Sequence, residues 1–215
     1  DLAEFERLKS ETLDALEQQA PREDQEELGK IALDLAMYGK DHTYGHAVSG
    51  TVAGVKNINL EKTKNFYKSF FTQDRLTVGL AGVVSTSLEV KARTAFKGLA
   101  STSPRGPKAA IPPIASKSGL KLTLVRGPFS AAGVHLGYPL NITRTQLKEF
   151  SRLYLASIAF GKHRSFVGRL MREVREIRSL NYGTYAYVED FPYGGRRLTE
   201  PTQVARSKQA FTLWA

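Results

Sequence analysis

The sequence predicts an α+β fold, assembled as two-layer units in which helices cover antiparallel-rich mixed sheets. Apolar residues recur at three-to-four spacing in several separate stretches, and apolar runs of strand type stand between them. A proline-rich stretch then divides the 215 residues into two halves, each holding both patterns. A chain of this length can bury a core, and its hydrophobic fraction of 41% is ordinary for a globular protein. No apolar run approaches the roughly 18 residues of a membrane span.

Residues 2–18 read as an amphipathic helix, with Leu2, Phe5, Leu8, Thr12, Leu13 and Leu16 on one stripe. Pro21 suits the first turn of a second helix, which runs through Leu28, Ile31, Leu35 and Ala36 to Gly39. Residues 40–58 read as an irregular loop. Asn59 can cap a third helix whose buried stripe is Leu60, Thr63, Tyr67, Phe70 and Phe71. Residues 75–84 read as a strand, and Thr86 with Glu89 has capping-box spacing for a fourth helix through Leu88, Ala92, Ala95, Phe96 and Leu99.

Residues 101–118 hold four prolines and almost no periodicity, which predicts a semi-rigid linker. Strands are expected near 119–126 and 130–138. Thr143 and Gln146 open a helix over 144–160 that buries Leu147, Phe150, Leu153, Tyr154 and Ile158. Ser165 can cap the next helix, with Phe166, Val167, Leu170, Met171, Val174 and Ile177 on its buried stripe. Strands are expected again over 182–188 and 209–215. The predicted division is therefore 1–100, a linker over 101–118, and 119–215. The first residues lack an initiator Met and a signal peptide, and the last resemble a strand cut short, so the chain is expected to be a fragment.

Composition excludes several function classes. Without cysteine there are no disulfides or thiolate metal sites, and the redox compartment stays open. The net charge of +10 comes from scattered residues that alternate with acids, as in Arg172-Glu173-Val174-Arg175-Glu176, and this pattern reads as solvated faces. The stacking-aromatic motifs of the common RNA-binding folds are absent, so no nucleic-acid partner is expected. Neither H-E-x-x-H nor H-x-x-E-H occurs, nor G-x-S-x-G, nor a phosphate or dinucleotide loop. Gly194-Gly195-Arg196-Arg197 is a basic turn that means little alone. His42 and His46 stand four apart, but Thr43, Tyr44 and Gly45 between them argue against a helix and no glutamate accompanies them. They read as loop histidines that hold turns. His135 alternates with apolar residues as a packed strand histidine, and His163 reads as a solvated turn residue.

Two stretches carry a sharper signal. The first is Asp41-His42-Thr43-Tyr44-Gly45, Gly50, Ile58 to Lys62, Phe66-Tyr67 and Leu76 to Gly82. The second runs without a gap from Gly168-Arg169-Leu170 through Val174 and Arg175-Glu176 to Tyr182, and is preceded by Val134-His135-Leu136-Gly137. Together they resemble the pitrilysin/insulinase zinc peptidases, a family that includes the mitochondrial processing peptidases, over roughly residues 1–190. The departures are Thr43 for the usual proline, Val83 for aspartate, Gly168 for serine and Ser179 for glycine. Ser179 then has to occupy a turn that suits glycine.

The resemblance implies clamp-like α/β domains that close around a peptide, with this chain as the end of one domain, a linker, and the start of an inactive one. It implies a metalloendopeptidase in which zinc-bound water attacks a peptide carbonyl, the zinc being held outside this chain by an active domain or a partner subunit. No metal ligand and no catalytic residue is expected here. A bacterial periplasm is the setting expected by type. Arg175 and Tyr182 are implied to reach into the closed chamber. The Arg175 fork, in the last turns of a helix, suits a peptide carbonyl or carboxylate. The Tyr182 hydroxyl, at the start of a strand, suits a developing oxyanion. In the alternative, Arg175 pairs with a surface glutamate, Tyr182 packs half-buried, and the protein is a scaffold subunit with no part in cleavage.

Overall fold

The computed structural model describes residues 1–19, 25–104, 110–114, 118–162, 166–188 and 209–215. The chain forms two compact units, one of Asp1–Thr12 with Ala53–Ala110 and the other of Leu13–Val52 with Ile111–Ala215. One crossing, from Ala110 to Ile111, falls inside the proline-rich segment. The others fall near the end of helix α1 (Leu2–Asp14) and at the start of helix α3 (Val52–Asn57).

The first unit is helical. Helix α1 continues as a π-helical turn over Ala15–Gln19 and is laced on its exposed side by Arg7, which meets Glu4 at 2.6 Å and Glu11 at 2.5 Å. Helix α3 stands where the sequence suggested a loop, because six residues are too few to show a period. Helix α4 (Leu60–Phe70) starts as expected, with Asn59 Oδ1 accepting from the Lys62 N–H at 2.8 Å. Helix α5 (Thr86–Ala95) is capped one residue earlier than expected. Ser85, not Thr86, accepts from the Leu88 N–H at 3.3 Å, and Glu89 turns away to Arg93 at 2.9 Å.

The strand expected at 75–84 does not form. Gln73–Arg75 make a 3-10 turn, and residues 76–84 have no ladder partner among the described residues. The period-two pattern survives: Leu76, Val78 and Leu80 line one groove together with Ala92 of α5 and Phe96 just after it. A strand needs a neighbour to satisfy its backbone, and this unit supplies none. The stripes predicted for α1 and α4 are likewise largely uncovered, with Leu2, Leu8, Tyr67 and Phe71 exposed. Among the described residues of this unit only Val55 and Thr72 are buried.

The second unit carries the sheet and the better-formed core. Strands β1 (His135–Leu140), β2 (Tyr185–Tyr187) and β3 (Gln209–Trp214) pair antiparallel in the order β1-β3-β2, with His135 opposite Trp214 and Tyr185 opposite the same residue. Pro139 is tolerated in β1 because that strand is an edge. The strand expected at 119–126 is absent, and Leu120, Leu122 and Leu124 are exposed. Helix α2 (Gln25–Tyr38) lies against β1; Pro21, its expected first turn, lies outside the described residues. Met37, Tyr38 and Ala210 form the core with Leu33, Tyr44 and Ile114 around them. Helix α6 (Leu147–Gly161) begins three residues later than expected. Its Gln146 side chain reaches back to the Thr143 N–H at 3.0 Å, the reverse half of a capping box. Phe160 of α6 meets Phe211 of β3 edge-on at 6.3 Å between centroids. The mixed helices and antiparallel sheet make the fold α+β. Among the described residues no helix is long and apolar enough to cross a membrane.

Candidate substrate-contact site

The helix expected after Ser165 (itself outside the described residues) is a π-helical turn over Met171–Glu176. Met171 is buried, but Phe166, Val167 and Ile177 of the predicted stripe are exposed. The turn closes through Ser179, whose φ of 51° lies in the left-handed region. The Ser179 N–H donates to the Arg175 carbonyl at 2.8 Å and the Leu180 N–H to the Val174 carbonyl at 3.0 Å. These are the nested bonds of a left-handed helix cap, each one residue wider than in an α-helix, as a π turn requires. Asn181 Oδ1 then accepts from the Gly183 N–H at 3.2 Å and turns the chain toward β2. Tyr182 therefore sits in this turn, three residues before the strand in which it was expected.

The reversal brings Tyr182 onto Arg175. The guanidinium carbon lies 4.0 Å from the Tyr182 ring centroid and 5.2 Å from that of Phe166. One N–H is directed at Met171 Sδ at 3.7 Å, and no carboxylate pairs with Arg175 among the described residues. A cation–π contact engages the guanidinium charge without consuming a hydrogen-bond acceptor, so its other N–H donors bond to no described residue. Tyr182 is 74% exposed, and its hydroxyl bonds to no described residue. Phe166, which the sequence placed on a buried stripe, is part of this cluster. The usable signal was its place at the start of the stripe, beside a turn.

Charge around the site is set by arginine. Glu173 is held below the usual carboxylate range, first by its 2.8 Å hydrogen bond from Arg178 and further by Arg172 and Arg169. Arg169, Arg172, Glu173 and Glu176 line a groove of about 510 Å³ with Phe166, Val167 and Gly168.

The histidines do other work. His42 is buried, and its Nδ1 accepts from the Tyr44 N–H at 3.0 Å. That fixes the proton on Nε2, which donates to the Pro112 carbonyl at 3.1 Å. Its ring stacks on Tyr38 at 5.1 Å between centroids. Gly45 completes this turn by close approach, since a Cβ there would stand 1.9 Å from the Gly39 carbonyl oxygen. Both ring nitrogens of His42 are engaged, and His46, which follows the turn, is exposed. His135 is pushed down to about 4 by burial and by Lys30, and its ring stacks near Trp214. His163 lies outside the described residues. Among the described residues no three His, Cys, Asp or Glu side chains gather to hold a metal, so they do not fit a zinc ion.

The model of one family, the peptidase M16 inactive domain, matches residues 57–199. The chain belongs to the M16 peptidase family. It is 30% identical over 163 residues to an uncharacterized zinc protease of Streptomyces coelicolor, covering 72% of this chain and 34% of that protein. The M16 inactive domain from Pseudomonas fluorescens superposes on it with a TM-score of 0.68 at 23% identity, over 100% of this chain and 47% of that one. A protease from Helicobacter pylori gives 0.64 at 15% identity, with the same coverage. The chain thus spans about a third of the curated relative and about half of each solved one.

Two departures from the family pattern now have a physical reading in this M16 inactive domain. Gly168, where serine is usual, adopts a φ of 119°, and a Cβ there would meet the Gly161 backbone at 2.8 Å. Ser179, where glycine is usual, takes the left-handed turn at a cost glycine would not incur. The Asp41–Gly45 run lies outside the span that the family model matches, and the pinning of its histidine accounts for it structurally.

Proposed function

We propose that this M16 inactive domain is the zinc-free, substrate-clamping part of a zinc metalloendopeptidase, pressing a peptide against a zinc-bearing domain or partner subunit. The observation that carries this reading is the Arg175–Tyr182 pair. A guanidinium held against two aromatic rings keeps N–H donors that bond to no described residue, and an exposed tyrosine hydroxyl stands beside it. Arg175 binds a peptide carbonyl or carboxylate, and Tyr182 donates to the oxyanion as it develops. A zinc ion bound outside this chain would supply the activated water for that attack.

Residues 1–100 close a first peptidase-like domain, 101–118 connect, and 119–215 open the second. Support comes from the first unit, where an alternating apolar segment and two amphipathic helices stand largely uncovered. The test is kinetic, in the intact peptidase. Arg175→Ala should raise KM about tenfold or more, since it removes a charged fork from the peptide. If Arg175→Ala and Tyr182→Phe both cleave peptide at the wild-type rate, the scaffold alternative replaces this reading.

A further inference from the structure

The segment from Arg169 to Arg178 holds four arginines against two glutamates. Arg169 with Glu173, and Arg172 with Glu176, stand four apart, a spacing that would ordinarily bridge on a helix. Neither bridge forms. Glu173 gives its carboxylate to Arg178 at 2.8 Å, and neither Arg169 nor Arg172 has an acceptor among the described residues. Two causes act together: an arginine placed before its glutamate is the weaker orientation, and the π-helical turn widens the register between them. Arg169 and Arg172 therefore line the groove beside exposed Phe166 without a bonded counter-charge; Glu173, tied to Arg178, feels both at longer range, and Glu176 shares the lining. Phe166 is also one of the rings against Arg175, so the groove runs into the proposed contact site.

From this juxtaposition we infer that the groove is a carboxylate-reading subsite: Arg169 and Arg172 select peptides bearing an acidic group next to the segment held by Arg175 and Tyr182. Phe166 supplies the apolar wall, as amphipathic peptide sites commonly pair a ring with a charged fork. The inference rests on the peptide-clamp reading and gives it a substrate class. The same carboxylate chemistry can come from a glutamate or aspartate side chain or from a peptide C-terminus.

The test is fluorescence anisotropy with the intact peptidase, stripped of zinc so that it binds without cleaving, and short labelled peptides of one neutral sequence. One peptide is amidated, one is amidated with an internal glutamate, one has a free C-terminal carboxylate, and one is amidated with an internal lysine. The glutamate or free-carboxylate peptide should bind about tenfold more tightly than the neutral one, with the lysine peptide weakest. Whichever of the two binds better identifies the source. The preference should shrink as salt rises. Arg169→Gln combined with Arg172→Gln should abolish it and leave the neutral peptide's affinity unchanged, while Arg175→Ala weakens every peptide. Both arginines are exposed, so the double variant keeps its packing. If all peptides bind equally and Arg175→Ala still weakens them, the carboxylate subsite is wrong and the clamp survives. If no peptide binds and Arg175→Ala changes nothing, the clamp and the subsite fall together.

Discussion

Ser179 sits at a φ of 51° at the closure that sets Tyr182 against Arg175. A non-glycine residue there is held against its own preference, so Ser179→Gly should stabilise the chain by about 0.5–1 kcal/mol after the entropic cost of glycine in the unfolded state. Urea denaturation of the two proteins reads this directly, and a loss of stability would show that the turn is not strained. His135 offers a second test. Its proton affinity is depressed to about 4 in the fold by burial and by Lys30, against roughly 6.5 when unfolded. The unfolded chain takes up the proton first as pH falls. The stability from keeping this ring neutral is therefore present above about pH 6.5 and is lost toward about pH 4. The melting temperature of wild type should drop between pH 7 and pH 5 more than that of His135→Gln. Equal drops would mean that His135 is not the group responsible.

Among single residues, Arg175 and Tyr182 were singled out because the motif from Gly168 to Tyr182 keeps its register without a gap, and the structure brings the two side chains into contact. Phe166 was legible only as a stripe residue beside a turn, not as a partner of Arg175. Its spacing from Leu170 and Val174 fits a helical stripe, and periodicity cannot reveal that Phe166 lies in a bend ahead of the helical residues, which pass into a π turn only at Met171.

At the scale of elements, helices were readable where a cap and a full period coincide, as at Asn59 before α4. Boundaries moved where serine and threonine compete for one cap, as with Ser85 against Thr86. Strands were readable in pattern but not always in outcome. Residues 209–215 became β3 because β1 and β2 flank them, whereas 75–84 and 119–126 alternate correctly and pair with no described residue. A strand is a property of two segments, and sequence alternation reports only one. Backbone amides of 76–84 should therefore exchange with deuterium at near-unprotected rates in this chain, while those of β3 exchange slowly. In the longer protein, where we propose that the first domain is complete, 76–84 should become protected by about a hundredfold or more. Persistent rapid exchange there would remove the support for assigning 1–100 to an interrupted domain.

For the whole molecule, the charge of +10 that reads as scattered along the sequence acquires a local meaning in the second unit, where arginines outnumber glutamates between 169 and 178. The chain matches the inactive domain of the M16 peptidases, which is the ground for proposing a supporting part in cleavage. The central claim is that this part reaches the reacting carbonyl through Tyr182. Single-turnover cleavage of a bound peptide by the intact peptidase, with Tyr182→Phe compared to wild type, isolates that step because one hydroxyl is lost and the ring against Arg175 remains. The account predicts a fall of about 100- to 1000-fold in the chemical rate, the range for losing one oxyanion donor, with the melting temperature unchanged. A Tyr182→Phe enzyme that cleaves at the wild-type rate would contradict it.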